Sequence, residues 1–496
     1  MAASRKQYTG WMVVAAFTSS LLTGQTSAQG PLSYSVVTPR PVSPAQGTTN
    51  PSALATQSQN PFLGSIPSKA DAVISLSLHN AIERGLRYNL GLVESTHASA
   101  DVRAERLRAL SALLPQVSAR GRQAYQVLSL KEIGIKLPPI PGFHGLPPTT
   151  GAFGYQDARI AVDQTIYSSE LRDRYKAQKQ AEESSILSAK DSRDVVVFAV
   201  ATAYLQVIAS TARVEAAKAE LASAQELDRQ TADRVQHEVS PEIDSLRSQV
   251  GRQSAEQRLT NSSNQLEKDR LTLARVIGFS IDQKFSVTET LASHSLTDMS
   301  EEAATTQALR SRSDLGSSEA AIRAAEMTLR AERDQRLPVV SFSADYGGGG
   351  ANVGNFNQVY TVAGNVNVPI YTGGRIRADI ERAQSDLERR RAEYGDLKGR
   401  IAYDVRVAWL DLQASRSSVQ IAERNKTLAD KALTQAEDRY GNGVTNYLEV
   451  VQAREAVAQA DDNRIDSLYS LNASIVALAR AMGGADARLQ ELLGGN

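Results

Sequence analysis

Apolar positions in this chain recur in two rhythms, and the two alternate along its length. Ile401, Val405, Ala408, Leu412, Ser415, Val419 and Ala422 step alternately by four and three residues, the spacing of a coiled-coil helix. The same spacing runs through Val196, Val200, Ala203, Val207, Ser210, Val214, Ala217, Leu221 and Ala224. The later series predicts a helical hairpin over 372–482, whose turn reads Arg439-Tyr440-Gly441-Asn442-Gly443-Val444-Thr445-Asn446-Tyr447. The earlier series predicts a helix over 169–237 and a return helix ending at Gly278. Its turn is marked by Ser240 as N-cap and Pro241 at the first helical position. At 1.5 Å per residue the first long helix spans roughly 100 Å, far beyond the usual globular helix of about 11 to 12 residues.

The second rhythm is strict alternation, the mark of a strand with two unlike faces. It occurs four times. In 116–127, Val117, Ala119, Tyr125 and Val127 oppose Gln116, Ser118, Arg120, Arg122 and Gln126. In 155–166, Ala158, Ile160, Val162 and Ile166 oppose Asp157, Arg159, Ala161 and Asp163. In 339–346, Val340, Phe342, Ala344 and Tyr346 oppose Ser341, Ser343 and Asp345. In 360–370, Tyr360, Val362, Val366 and Val368 oppose Thr361, Ala363, Asn365 and Asn367. The first pair is joined by a Pro- and Gly-rich loop, 136–154, and the second by a glycine run, 347–350, expected as a flexible outer turn. Helical segments precede each pair, 76–114 and 301–336, and stop where Pro115 and Pro338 cannot continue a helix.

The order of elements therefore occurs twice. Val200, Ala203, Leu205, Ala209, Ser210 and Val214 match Val405, Ala408, Leu410, Ala414, Ser415 and Val419, and Asp233-Arg234 matches Asp438-Arg439. The offset is 205 at every pair and holds through Leu273-Ala274-Arg275 against Leu478-Ala479-Arg480. Heptads alone would not fix register across both turns, so a duplicated unit is expected. The domain plan is residues 1–28, 29–70, a first repeat 71–278, a linker 279–300, a second repeat 301–483 and a tail 484–496.

The first 28 residues have the form of a secretory signal peptide: Arg5 and Lys6, an apolar run from Trp11, and Thr26-Ser27-Ala28 before a cleavage point. The apolar run is shorter than the roughly 20 residues of a spanning helix, and no other run of that length is expected. Residues 29–70, rich in Pro, Ser, Thr and Gln, are expected to be disordered. Lys plus Arg equals Asp plus Glu at 55 each, which gives no support to a nucleic-acid partner. The absence of cysteine removes disulfides, thiolate metal sites and cysteine nucleophiles. The five histidines are scattered without metal spacing. No cofactor, metal or catalytic residue is expected, and the chain does not read as an enzyme.

Four strands cannot close a barrel, and membrane barrels need at least about eight. If these strands lie in a bilayer, several chains must share one barrel. The polar face Arg120, Arg122, Asp157, Arg159, Asp163, Asp345, Asn365 and Asn367 would then line a water-filled lumen. Tyr125, Tyr155, Phe342, Tyr346, Phe356 and Tyr360 would form an aromatic girdle. The alternative is a soluble antiparallel sheet packed on a core.

The order helix, Leu-Leu-Pro115, strand pair and long hairpin, given twice, resembles the TolC-type outer-membrane channel family. Val368-Pro369-Ile370-Tyr371-Thr372-Gly373-Gly374 looks like that family's strand-to-helix junction, and Arg439-Tyr440 through Gly443 to Tyr447-Leu448-Glu449-Val450 like its inner tip. The resemblance covers nearly all of 71–483. It implies an α-helical barrel of long coiled-coil hairpins plus a transmembrane β-barrel completed by trimerisation, each half an internal repeat. It implies a homotrimer in the lipid of the outer membrane, extending into the periplasm. Its partners would be a periplasmic adaptor and an inner-membrane transporter. Its cargo would be drugs, toxic small molecules or secreted proteins, by efflux or type I secretion. A periplasmic coiled-coil structural or adaptor protein is the alternative, and it would not need two alternating strand pairs.

The resemblance also implies roles at the tip. An acidic ring at the periplasmic entrance maps to Glu449 and Gln452, of which only Glu449 is acidic. Asn446 and Glu449 also form a capping-box-like arrangement. Tyr440 and Asp244 match two positions of a latch between hairpins, where a phenol would donate to a carboxylate. Thr445 stands where the family has a latch arginine. Gly441 and Gly443 are expected as turn residues with permissive backbone angles. The glycines and Glu449 single out the 372–482 hairpin as the one expected to move.

Overall fold

The computed structural model describes residues 64, 74–127, 149, 151–291, 300–350 and 357–485. The signal peptide, the 29–70 extension apart from Gly64, most of the 136–154 loop, Phe356 and the tail from 486 lie outside them.

Serine and asparagine caps start most helices of the first half. Ser77 opens α1 (Leu78–Tyr88), its side chain accepting from Asn80 N at 3.2 Å. Asn89 opens α2 (Leu90–Ser111), accepting from Gly91 N at 3.0 Å. Ser168 opens α3 (Ser169–Gln236), accepting from Leu171 N at 3.2 Å. These bonds satisfy amide donors that a helix leaves open at its start. The return helix α4 (Glu242–Ile277) begins one residue later than the sequence suggested. Pro241 is the N-cap and no side chain caps it; proline serves because its fixed φ suits the entry and it has no amide proton to satisfy. Gly278, at φ +75°, ends α4.

The expected 301–336 helix is two helices, α5 (Glu301–Ser311) and α6 (Ser313–Asp334), broken at the extended residue Arg312. Arg312 holds the break. Its guanidinium grips Asp314 at 2.6 Å and reaches Asp404 at 3.4 Å. Burial alone would lower its pKa, but the Asp314 bond and charge outweigh that and raise it. The second hairpin is α7 (Arg375–Gly441) and α8 (Tyr447–Met482).

Every residue of the predicted 401–422 stripe is buried. Ile401, Val405, Ala408, Leu412 and Val419 pack on Leu468, Leu471, Ile475 and Leu478 of α8 and on Ala304 and Ala308 of α5. In α3 the buried set, Val196, Val200, Val207 and Val214 among it, packs on Ala81 and Ile82 of α1, Leu273 and Ile277 of α4, and Val476 and Ala479 of α8. Surrounded in this way, α3 is apolar on several sides. One stretch of α3 has the length and composition of a membrane span, contrary to the expectation that no second such run exists; more than half of it is buried within the fold.

The linker is not bare. Two short strands, β1 (Ile74–Leu76) and β4 (Phe285–Val287), pair in parallel, and Tyr204 Oη donates to Leu76 O at 2.9 Å. The alternating runs form one antiparallel sheet of β2 (Gln116–Gln126), β3 (Phe153–Tyr167), β5 (Val339–Gly350) and β6 (Asn357–Asn367), in the order β2-β3-β5-β6. The glycine run 347–350 is therefore strand, not turn. Gly347 pairs with Arg159 and Gly349 with Asp157. A Cβ on Gly347 would lie 2.1 Å from Ala158 O, so glycine here permits close strand approach.

Candidate functional site: the hairpin tip and the amphipathic sheet

The two hairpin ends meet in a small cluster, Leu227, Ala436, Tyr440, Tyr447 and Val450. Tyr440 is its centre. Its ring meets Tyr447 edge-on, centroids 5.7 Å apart at 71°, the arrangement aromatic quadrupoles favour. The Arg234 guanidinium lies over the Tyr440 ring, 4.6 Å from its centroid. Arg234 also donates to Tyr440 O at 3.5 Å and Ser240 Oγ at 3.3 Å. A second tie runs from Arg454 of α8, which donates to Ser223 Oγ of α3 and to Glu437, each at 2.7 Å. Burial pushes the Tyr447 phenol up to about 12, with Arg454 opposing and Tyr440, Asp228 and Asp244 adding to the rise.

The latch bond expected between Tyr440 and Asp244 is not made. The Tyr440 hydroxyl is buried with no hydrogen-bond partner among the described residues, while Asp244 lies 3.7 Å from Arg247 on its own helix. The ring face of Tyr440, not its hydroxyl, carries the contact between hairpins. Sequence reasoning missed Arg234 and Arg454, because neither falls on an apolar stripe and a cation–π partner leaves no spacing signal.

The expected capping box is also not formed. Asn446 is the N-cap of α8 but its side chain makes no cap bond. Glu449 instead accepts from Thr445 Oγ1 and lies 3.6 Å from Arg439 Nε. Thr445 is thus a partner of Glu449, and the carboxylate carries its own counter-charge. Gln452 is exposed one helical turn on. Of the two turn glycines only Gly443, at φ +69°, needs the left-handed region; Gly441 is the last residue of α7. Glu238 takes the same place in the first turn, at φ +56°. Both turns close identically: Val239 N donates to Arg234 O at 2.8 Å and Val444 N to Arg439 O at 2.9 Å. The glycines therefore do not set the second turn apart in backbone form, as the sequence had suggested.

In the sheet, register settles the faces. Arg120 pairs with Arg159 and Arg122 with Asp157; Asp163 pairs with Ser343, Ser341 with Asn365 and Val339 with Asn367. Directly paired residues share a face and alternate ones return to it. All eight expected lumen residues therefore lie on one face. The other carries the exposed Val117, Ile160, Tyr346, Tyr360, Val362 and Val366. Tyr155 is a correction. It lies on the polar face, where its hydroxyl donates to Asp157 at 2.9 Å, and so takes no part in an outward girdle.

Two long helical hairpins continuous with a four-stranded sheet, one face polar and the other apolar and exposed, define the fold of outer-membrane channel proteins. The Campylobacter jejuni CmeC outer membrane channel has this fold, with a TM-score of 0.70 at 17% identity over 86% of this chain and 92% of that one. A membrane protein from Pseudomonas aeruginosa matches at TM-score 0.72 and 18% identity, covering 85% of this chain and 94% of the other. In sequence, residues 304–484 match the family described as Outer membrane efflux protein. The pyoverdine export outer membrane protein OpmQ of Pseudomonas putida is 24% identical over 295 residues, 58% of this chain and 61% of that relative's length. The resemblance read from the residues is thus borne out: the chain has the fold of the TolC-type channels, and its second half is similar in sequence to outer membrane efflux proteins.

Proposed function

We propose that this chain is one protomer of a homotrimeric outer-membrane efflux channel that passively conducts cargo from the periplasm to the outside. The observation that carries the reading is the sheet. Its outer strands, β2 and β6, each pair on one side only, and an exposed apolar face backs a charged one. Unpaired edges seek partners, and lipid tolerates strands only in closed barrels. Three copies of four strands satisfy both demands with an even count above the minimum of about eight. Helices of 68 and 67 residues, followed by return helices of 36 and 36, support an internal two-fold repeat. They also support a helical tube below the barrel.

The tip clusters would then form the periplasmic entrance, with Glu449 and Gln452 at its ring. A periplasmic adaptor and an inner-membrane transporter would deliver the cargo, whether drugs, toxic small molecules or secreted proteins. Fractionation tests the reading. Heat-modifiable trimers in the outer membrane are expected, whereas release of the protein by osmotic shock would sink it.

A further inference from the structure

The polar face of the sheet holds charges that are unevenly partnered, and this inference rests on the channel reading above. Gly347 and Gly349 leave a trough on that face. A Cβ on Gly347 would lie 2.8 Å from Arg159 Cγ, and one on Gly349 3.2 Å from the Tyr155 hydroxyl. Arg159 lies along this trough. Its Nε donates to Asp157 Oδ2 at 2.8 Å and its Nη1 to Asp345 Oδ1 at 2.9 Å. Tyr155 adds a second bond to Asp157 at 2.9 Å. One guanidinium thus occupies both carboxylates and holds them in place.

Arg120 and Arg122 stand beside this cluster on β2, paired across to Arg159 and Asp157. Both are exposed, and among the described residues neither has a carboxylate within ion-pair distance. The next acid on the face, Asp163, is four residues from Arg159 along β3, about 13 Å away at strand rise. Among the described residues the middle of the face therefore carries three guanidiniums against two carboxylates; Arg120 acts on Asp157 only through space, and the two forks without an ion pair lie on the same face as the pinned one. A trimer repeats this three times around one lumen, where like charges in a narrow passage reinforce one another.

The geometry points to an oxyanion-binding belt in the barrel: Arg120 and Arg122 take solutes bearing carboxylate or similar groups, for which planar guanidinium forks are suited. Arg159 positions the belt by keeping Asp157 and Asp345 away from those forks.

The test is single-channel recording of the full-length trimer in a planar bilayer, with citrate added from the extracellular side. Block by citrate is expected, and none by the trication spermidine at the same concentration. Arg120→Gln with Arg122→Gln should weaken citrate block by about tenfold or more, the loss of at least one charge-assisted bond. A pore indifferent to citrate, one blocked equally by spermidine, or a double variant blocked like the wild type would overturn the belt. The first two outcomes need no variant to fold. A trimer that forms no conducting pore overturns the channel reading itself, a result distinct from all of these.

Discussion

The Arg234 guanidinium stacks on the Tyr440 ring at 4.6 Å and so ties the end of α3 to the end of α7. Such a contact is worth roughly 0.5 to 2 kcal/mol depending on desolvation. It uses the ring face and leaves the hydroxyl idle. Tyr440→Phe should therefore preserve the tie between the two hairpin ends, and loss of a buried, unpartnered hydroxyl should if anything stabilise it. Tyr440→Leu and Arg234→Gln should both raise the open probability in single-channel recordings. A tip opened by Tyr440→Phe and left closed by Arg234→Gln would return the latch to the phenol.

The two turns share a left-handed residue but fill it differently, Glu238 in one and Gly443 in the other. A side chain in that region costs roughly 1 to 2 kcal/mol. Gly443→Ala should destabilise the second hairpin by about 1 kcal/mol, and Glu238→Gly should stabilise the first by up to about the same. Chemical denaturation of the purified protein measures both, with opposite signs expected.

Close strand approach at Gly347 predicts that Gly347→Val is not tolerated, because the new side chain meets the Ala158 and Arg159 backbone. Gly364, where a Cβ meets nothing within 4 Å, should accept alanine. The yield of heat-modifiable trimer in the outer-membrane fraction should fall sharply for the first variant and stay near wild type for the second.

The Tyr447 phenol is raised from 10 to about 12 by burial. A group whose folded pKa is raised lends stability that is complete below its unfolded pKa and is lost as pH climbs through the folded one. The tip should hold up to about pH 10 and weaken between about 10 and 12. Burial also raises Tyr469, so ultraviolet titration should show late tyrosines of which one disappears in Tyr447→Phe; a late fraction unchanged by that substitution would contradict the buried phenol.

Much of this architecture was legible in the residues because it depends on periodicity. The heptad stripe at Ile401 through Ala422 had one way to become buried, and it did. Strict alternation placed Arg120, Asp157 and Asp345 on a common face before any pairing was known, since a strand has only two faces. The errors arose where local cues compete. The Gly347 run reads as a turn in sequence because glycine serves both turns and close strand contacts, and only the partner strand decides between them. The break at Arg312 is marked locally only by Ser311, Ser313 and Asp314, residues that also occur within helices, and is held by carboxylates of which Asp404 lies far along the chain.

By itself, the sequence determined the two rhythms of the chain, the lengths of its long hairpin helices and the faces of its strands, because these follow from chain geometry over neighbouring residues. Tertiary structure alone decided that Arg234 lies on Tyr440, that Glu449 turns to Arg439 and Thr445, and that Arg159 takes up both Asp157 and Asp345. Those contacts depend on side-chain directions where separate elements meet, and periodicity carries no information about which of several nearby charges a long flexible side chain will reach.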